Sequence, residues 1–117
     1  LDAAFVPVES EHSAMSVCCG TSAAGARTYT ATASQGLALM HEILFIAAAL
    51  RLPIVMSVAN RSLSGPISIW NDHSDVMAVR QTGFALLASN SVQESHDMAL
   101  IAHAGGPGTA PGPRARG

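Results

Sequence analysis

Hydrophobic residues occur along this chain in runs of two different kinds. The run Ile54–Ala59 is apolar except for Ser57, and Pro53 and Asn60 bound it. A short apolar run between turn residues is typical of a strand that is covered on both faces in a parallel sheet. The segment 35–51 is longer, and its apolar residues cover most of the circumference of a helix. We therefore predict a buried helix that ends before Pro53, followed by a buried strand.

The pattern predicts further elements on both sides of this pair. Residues 10–24 are rich in Ala and Ser and form a predicted helix that Gly25 ends. Residues 27–33 contain β-favouring threonines and a tyrosine, and Ser34 stands at the N-cap position of the following helix. The remaining predicted elements are a strand at 5–9, a loop at 60–72, a helix at 72–81, a strand at 84–88 and a last helix that starts at the capping box of Ser91 and Glu94.

Strands and helices alternate in the predicted order, β-α-β-α-β-α-β-α. This order indicates an α/β fold with a mainly parallel sheet flanked by helices. A chain of 117 residues has room for one such domain. We assign residues 1–104 to it, and we expect residues 105–117, which are mostly Gly, Pro, Ala and Arg, to be a disordered tail. Loops at the carboxyl ends of the strands carry ligands in open sheets, which draws attention to residues 60–72.

Composition excludes several classes of partner. Only 12% of the residues are charged, against about a quarter in an average soluble domain, so we expect part of the surface to be buried against neighbours. The net charge is −2 and lysine is absent, which gives no support to nucleic-acid binding. Arg51 and Pro53 interrupt the longest apolar stretch, so it falls short of the roughly 20 residues of a membrane span. No basic region precedes an apolar segment at Leu1, so no signal peptide is predicted.

The cysteines, Cys18 and Cys19, are adjacent. Their spacing fits neither a disulfide framework nor a C-x-x-C site for zinc or an iron–sulfur cluster. We predict that they are small buried hydrophobic residues rather than reactive thiols. A reducing, cytoplasmic location agrees best with this usage.

Several motifs in one order give the chain a specific resemblance. They are Ser10-Glu11-His12-Ser13-Ala14, Thr32-Ala33-Ser34-Gln35-Gly36-Leu37, Ala59-Asn60-Arg61, Trp70-Asn71-Asp72-His73-Ser74-Asp75 and Arg80-Gln81-Thr82-Gly83-Phe84. Together they resemble the pyrimidine-binding domain of pyruvate:ferredoxin oxidoreductases, over about residues 8–103. The resemblance implies that residues 1–104 are part of a thiamine diphosphate pyrimidine-binding domain. It also implies oxidative decarboxylation of pyruvate to acetyl-CoA with coenzyme A and ferredoxin, although related enzymes share the domain and act on other 2-oxoacids.

The resemblance assigns a catalytic and cofactor-binding role to Glu11. In the family a glutamate meets the N1′ nitrogen of the aminopyrimidine ring, and Glu11 stands at the matching position. A carboxyl group hydrogen-bonded to N1′ favours the form of the ring that removes the proton from C2 of the thiazolium. The alternative is a solvated residue in a first helical turn, stabilised there by the helix dipole.

The resemblance also matches the family's substrate-binding arginine to Arg61, at the end of the predicted strand Ile54–Ala59. A planar guanidinium group can bind the carboxylate of a 2-oxoacid through two parallel hydrogen bonds and so orient its carbonyl group. The alternative is an ordinary loop arginine paired with Asp72 or Asp75.

Two other motifs have simpler interpretations. In the segment 71–75 a histidine stands between two aspartates, but helix capping by Asn71 or Asp72 explains it better than metal binding. No metal ligand is predicted, because the resemblance implies that another domain holds the Mg²⁺ ion of the cofactor. Gly36 could permit a close backbone approach at the carboxyl end of its strand.

A complete enzyme of this family also needs a diphosphate-binding domain with a Gly-Asp-Gly motif and [4Fe-4S] clusters, which this chain lacks. We therefore expect a truncated, inactive fragment of an oligomer whose partners are a diphosphate-binding domain or subunit, an iron–sulfur subunit and ferredoxin. One alternative is a non-catalytic interaction module or a decayed fragment. Another is a different thiamine-dependent family, such as the transketolases, but the motif at 70–75 does not look like theirs.

Overall fold

The computed structural model of the chain describes residues 3–66 and 68–105. Two parallel strands form a sheet, and helices pack around it. In chain order the elements are α1 (Glu11–Ala23), β1 (Thr28–Ala33), α2 (Ser34–Leu39), α3 (His41–Ala49), β2 (Ile54–Ala59), α4 (Ser74–Ala78) and α5 (Val92–Gly105). The predicted α/β class, with a parallel sheet flanked by helices, is confirmed.

The two strands are aligned along their whole length. Their pairing runs from Thr28 opposite Ile54 to Ala33 opposite Ala59, so their carboxyl ends are level. The predicted bounds of β2 are confirmed, and β1 begins one residue later than predicted. β2 is less covered than expected, because Ile54 is buried whereas Ser57 and Ala59 are exposed. The level strand ends bring the loops that follow them to the same edge of the sheet.

α1 is one residue shorter at each end than the predicted helix 10–24, and both ends have local causes. The hydroxyl group of Ser10 accepts a hydrogen bond from the backbone N–H of Ser13 at 3.2 Å, which satisfies a donor of the first turn. At the other end Gly25 has a φ of 90°, a conformation that glycine adopts without a steric cost. Its N–H donates to the carbonyl oxygen of Ser22 at 3.0 Å. The helix start therefore fixes the position of Glu11, its first residue.

Replacing Ser10 with Ala should lower the free energy of unfolding by about 1 kcal/mol, because the first turn of α1 then loses its side-chain acceptor. Urea denaturation followed by circular dichroism measures the change. Ser16→Ala is the matched control, since the Ser16 hydroxyl group donates to the carbonyl of His12 within the helix and caps nothing. Equal losses in the two variants would contradict a capping role for Ser10.

The predicted helix at 35–51 is wrong in its start and its continuity. Ser34 is not the N-cap; it is the first residue of α2, and its hydroxyl group donates to the carbonyl oxygen of Ser62 at 2.7 Å. Met40 separates α2 from α3, although its N–H still bonds to Gly36. α3 ends at Ala49, and Arg51, which follows the C-cap residue Leu50, has a φ of 53° and so takes the left-handed conformation that often follows a helix.

Several other predicted bounds are also wrong. Residues 5–9 and 84–88 form no strand in the structure, because an apolar run becomes a strand only where a neighbouring backbone supplies hydrogen bonds. The helix predicted at 72–81 is limited to α4. The predicted start of the last helix is confirmed, because α5 begins at Val92 and the hydroxyl group of Ser91 accepts from the backbone N–H of Glu94 at 3.1 Å. Gly105 is the last residue of α5 rather than part of a tail. The rest of the predicted tail, residues 106–117, lies outside the described residues.

The core lies where α1, α2 and α3 meet the amino-terminal half of the sheet. Cys18 belongs to it, which confirms that this cysteine is a buried hydrophobic residue, and burial raises the pKa of its thiol. None of the helices in the described part of the chain is long and apolar enough to cross a membrane. The buried apolar residues are Met15, Cys18, Leu37, Met40, Leu44, Ala47, Ile54 and Val79.

Candidate functional site

Glu11 is the first residue of α1, and its side chain is exposed. Its carboxylate makes no hydrogen bond or ion pair with any described residue. The group is therefore held at a fixed helix end and remains free to accept a hydrogen bond from a ligand.

Gly36 lies directly beneath the Glu11 side chain. A Cβ atom at Gly36 would be 2.8 Å from Cγ and 3.1 Å from Oε1 of Glu11, and it would overlap Oγ1 of Thr32. No real Cβ atom tolerates such contacts, so only glycine fits at this position. The predicted close approach at Gly36 is present, and the group that approaches is the Glu11 side chain. This contact places Glu11 beside the first turn of α2, at the carboxyl end of β1.

An open hollow of about 260 Å³ lies beside Glu11. Its apolar lining comes from Val8 and Ala14, and Glu9, Ser10 and Glu11 supply the polar groups. A hollow of this kind combines apolar surface with a carboxylate that has no partner in the described structure. It can hold one face of a small planar ring and bind a polar atom on the edge of that ring.

Arg61 lies in the loop at the carboxyl end of β2. Its backbone N–H donates to Oδ2 of Asp75 at 3.1 Å. The Asp75 carboxylate also accepts hydrogen bonds from the side-chain amide of Asn60 and, at 2.7 Å, from the N–H of Val76. The alternative interpretation, in which Arg61 pairs with Asp75, is therefore true of the backbone N–H of Arg61 and not of its guanidinium group. The guanidinium group itself has no hydrogen bond or ion pair among the described residues.

The loop around Arg61 is attached to two helix starts. Ser62 accepts its hydrogen bond from Ser34, at the first turn of α2. The backbone N–H of Leu63 donates to the hydroxyl group of Ser74, at the first turn of α4, at 3.1 Å. Glu11 and Arg61 are therefore both adjacent to the first turn of α2, the former through Gly36 and the latter through Ser62. The roles predicted for these two residues stay predictions.

The N-cap residue of α4 is His73, not the predicted Asn71 or Asp72, and its side chain makes no capping hydrogen bond; the first turn is bonded instead by Asp72. Oδ1 of Asp72 accepts a hydrogen bond from the backbone N–H of Ser74 at 2.6 Å. Hydrogen bonds from the hydroxyl group and the backbone N–H of Ser74 lower the pKa of Asp72. The described residues contain no group of three or more His, Cys, Asp or Glu side chains that could hold a metal ion.

Sequence reasoning missed Asp75 as a residue of the site. Asp75 is 1% exposed, although it looked like one more polar residue in a helix-capping segment. No local signal separates it from Asp72, because its partners Asn60 and Arg61 are 15 and 14 positions away in the chain. A buried carboxylate in a loop-rich segment shows itself only in the folded structure.

Comparison with known proteins decides the family. A family model described as the thiamine diphosphate-binding domain of pyruvate flavodoxin/ferredoxin oxidoreductases matches residues 1–105. The chain belongs to this family. Within it, the pyruvate synthase subunit PorA of Pyrococcus furiosus is 62% identical over 103 residues, which are 88% of this chain and 26% of that protein. The same subunit of Methanocaldococcus jannaschii is 61% identical over 103 residues, which are again 88% of this chain and 26% of that protein.

A relative named for a different 2-oxoacid shows the breadth of the family. The ketoisovalerate oxidoreductase subunit VorA of Pyrococcus furiosus is 52% identical over 102 residues, which are 87% of this chain and 26% of that protein. The chain thus spans about a quarter of the length of the curated relatives that it matches.

The hollow beside Glu11 fits the aminopyrimidine half of thiamine diphosphate, the cofactor of this family. Glu11 offers an unpaired acceptor to a ring nitrogen, and Val8 and Ala14 offer apolar contact to a ring face. Neither a cluster of basic residues nor a set of metal ligands for the diphosphate half accompanies them in the described residues. The site therefore fits one half of the cofactor.

Proposed function

We propose that this chain is the segment of a pyruvate:ferredoxin oxidoreductase that holds the aminopyrimidine ring of thiamine diphosphate. The complete enzyme converts pyruvate and coenzyme A into acetyl-CoA and CO₂, and two electrons pass to ferredoxin. Support comes from the family match and from relatives named pyruvate synthase. The relative named ketoisovalerate oxidoreductase makes a branched 2-oxoacid the competing substrate.

The observation that carries the proposal is the Glu11 carboxylate, which has no partner in the described structure and lies against Gly36 at the carboxyl edge of the sheet. When bound, thiamine diphosphate supplies the carbon nucleophile that attacks the 2-oxo carbon and takes up the electrons left when CO₂ departs. Glu11 would hydrogen-bond to N1′ and share a proton with it. This contact would favour the ring form whose exocyclic nitrogen removes the C2 proton.

Arg61 would bind the carboxylate of the 2-oxoacid. Its guanidinium group has no acidic partner among the described residues, and the next residue, Ser62, bonds to the same helix turn that Glu11 contacts. Two parallel hydrogen bonds to the carboxylate would fix the direction of the 2-oxo carbon as well as adding affinity. Binding and orientation are thus separate contributions of one side chain.

The remaining parts of the reaction belong to other domains or subunits, because this chain spans about a quarter of its relatives' length. A diphosphate-binding domain or subunit would hold the Mg²⁺ ion, and an iron–sulfur subunit with [4Fe-4S] clusters would pass electrons to ferredoxin. The relatives are named as subunits, which supports an oligomeric enzyme. An enzyme that uses ferredoxin and coenzyme A as co-substrates would act in the cytoplasm.

Replacing Arg61 with Leu tests the substrate-binding role, in an assembled pyruvate synthase whose PorA subunit carries this segment. KM for pyruvate should rise about 10- to 100-fold, since hydrogen bonds to a charged group contribute about 1.5–3 kcal/mol. Steady-state reduction of ferredoxin gives KM and kcat together.

The matched control is Arg27→Leu, because Arg27 directly precedes β1, at the opposite end of the strand from the site. KM should stay within about twofold of the unsubstituted enzyme there. An Arg61→Leu enzyme with an unchanged KM would remove Arg61 from the substrate site. Assembly without any thiamine-dependent turnover in the unsubstituted enzyme would favour a non-catalytic interaction module.

A further inference from the structure

Asp75 is a buried charged side chain whose function the site described so far does not explain. It is 1% exposed and is the only charged side chain among the buried residues of the described structure. A carboxylate removed from water is costly unless hydrogen-bond donors replace its hydration. The reason for keeping it must be found in the groups that it binds.

Two of the three donors to Asp75 come from the end of β2. They are the side-chain amide of Asn60 and the backbone N–H of Arg61, and the third is the N–H of the neighbouring Val76. Asp75 therefore connects the first turn of α4 to the residues that directly follow β2. This connection bridges 14 and 15 positions of sequence, so it fixes one segment against another rather than capping a helix.

Three consecutive residues of the loop are fixed in this way. Asp75 binds the N–H of Arg61, Ser34 binds the carbonyl of Ser62, and Ser74 binds the N–H of Leu63. Loops usually leave such backbone groups to water. Here side chains from two helix starts hold the main chain on both sides of the Arg61 side chain.

The guanidinium group of Arg61 has no partner of this kind. Asp75 contacts only the backbone N–H of Arg61. The guanidinium group of Arg61 has no acidic partner among the described residues. An aspartate that neutralised the guanidinium would compete with an anionic substrate. An aspartate that holds only the backbone fixes the arginine and leaves its charge available.

We propose that Asp75, together with Ser74, is a positioning residue for Arg61. The first turn of α4 holds the main chain of Arg61 so that its guanidinium group meets the carboxylate of the 2-oxoacid. The inference rests on the proposed function, because it assumes that Arg61 binds substrate. It adds a residue that touches neither substrate nor cofactor and acts through the loop.

Asp75→Asn in the assembled enzyme tests the inference. An asparagine keeps the size of the side chain but turns one acceptor into an N–H₂ group, which then opposes either the donors of Asn60 and Val76 at Oδ1 or the N–H of Arg61 at Oδ2. KM for pyruvate should rise about tenfold, while kcat and C2 proton exchange of bound thiamine diphosphate stay within about twofold. Asp97→Asn, an exposed aspartate of α5, is the control for the change of charge.

A double-mutant cycle separates positioning from a general structural role. In the Arg61→Leu enzyme, Asp75→Asn should change KM by less than about twofold, since the group that it positions is gone. Independent, multiplicative effects on KM would overturn the inference, and so would an unchanged KM in Asp75→Asn alone. If Arg61→Leu itself leaves KM unchanged, the substrate-binding proposal fails instead.

Ser74→Ala keeps the test valid if Asp75→Asn does not fold. It removes the hydroxyl group that accepts from Leu63 and leaves the buried carboxylate in place. KM should rise about two- to fivefold with kcat unchanged, and the rise should vanish in the Arg61→Leu enzyme. An unchanged KM, or a rise that persists without Arg61, would overturn the inference.

Discussion

Replacing Glu11 with Gln should slow C2 proton exchange of thiamine diphosphate about 10²- to 10⁴-fold in an assembled enzyme that carries this segment. A carboxyl group can share a proton with N1′, whereas an amide cannot. Glu11 has no other partner in the described structure, so the loss should come from this contact and not from a broken ion pair. Nuclear magnetic resonance of hydrogen–deuterium exchange at C2 measures the rate directly.

Glu42→Gln is the control for the Glu11 substitution. Glu42 is an exposed glutamate of α3 that lies 3.7 Å from His12, the neighbour of Glu11, and it does not line the hollow. Its substitution makes the same chemical change close to the site, and the exchange rate should stay within about twofold. Unchanged exchange in the Glu11→Gln enzyme would reject the role of Glu11 at N1′.

Replacing Gly36 with Ala should slow the same exchange about 10²-fold. The added methyl group would overlap Oγ1 of Thr32 and press on Cγ and Oε1 of Glu11. Overpacking of this kind costs about 1–3 kcal/mol, and its relief requires movement of the exposed Glu11 side chain as well as of the Thr32 hydroxyl group. A displacement of about 1 Å at a reacting group can cost about 10²-fold in rate.

Gly20→Ala is the matched control, because Gly20 lies in α1 and a Cβ atom there would meet nothing within 4 Å. Its substitution should leave exchange unchanged and stabilise the helix by about 0.5–1 kcal/mol. Isothermal titration with thiamine diphosphate shows whether the Gly36→Ala enzyme still binds the cofactor. Normal exchange in that enzyme would mean that Glu11 can act from another position.

The elements with strong local signals could be predicted from the sequence. β2 was defined by an apolar run between Pro53 and Asn60, and the end of α1 by Gly25. The false strand at 84–88 had the same kind of apolar run, but a strand depends on a hydrogen-bonding neighbour that the run itself does not specify. The break at Met40 has no local signal, since methionine is a good helix former.

The site could be predicted only in the residues that a family motif names. Glu11 and Arg61 came from the resemblance, and the structure supplied the contacts that surround them. The donors to Asp75 lie 14 and 15 positions earlier, and the close approach predicted at Gly36 turned out to involve a side chain on another helix. Such dependence on distant residues leaves no pattern in a single sequence.

The level ends of the two strands have a consequence for how this segment can evolve. Ala33 pairs with Ala59, and the next residues lead directly to the bond between Ser34 and Ser62. One inserted or deleted residue in either strand would displace its loop by about 3.3 Å, more than a hydrogen bond can absorb. Natural length variation among relatives should therefore avoid both strands, whatever their sequences, and accumulate in segments remote from this edge.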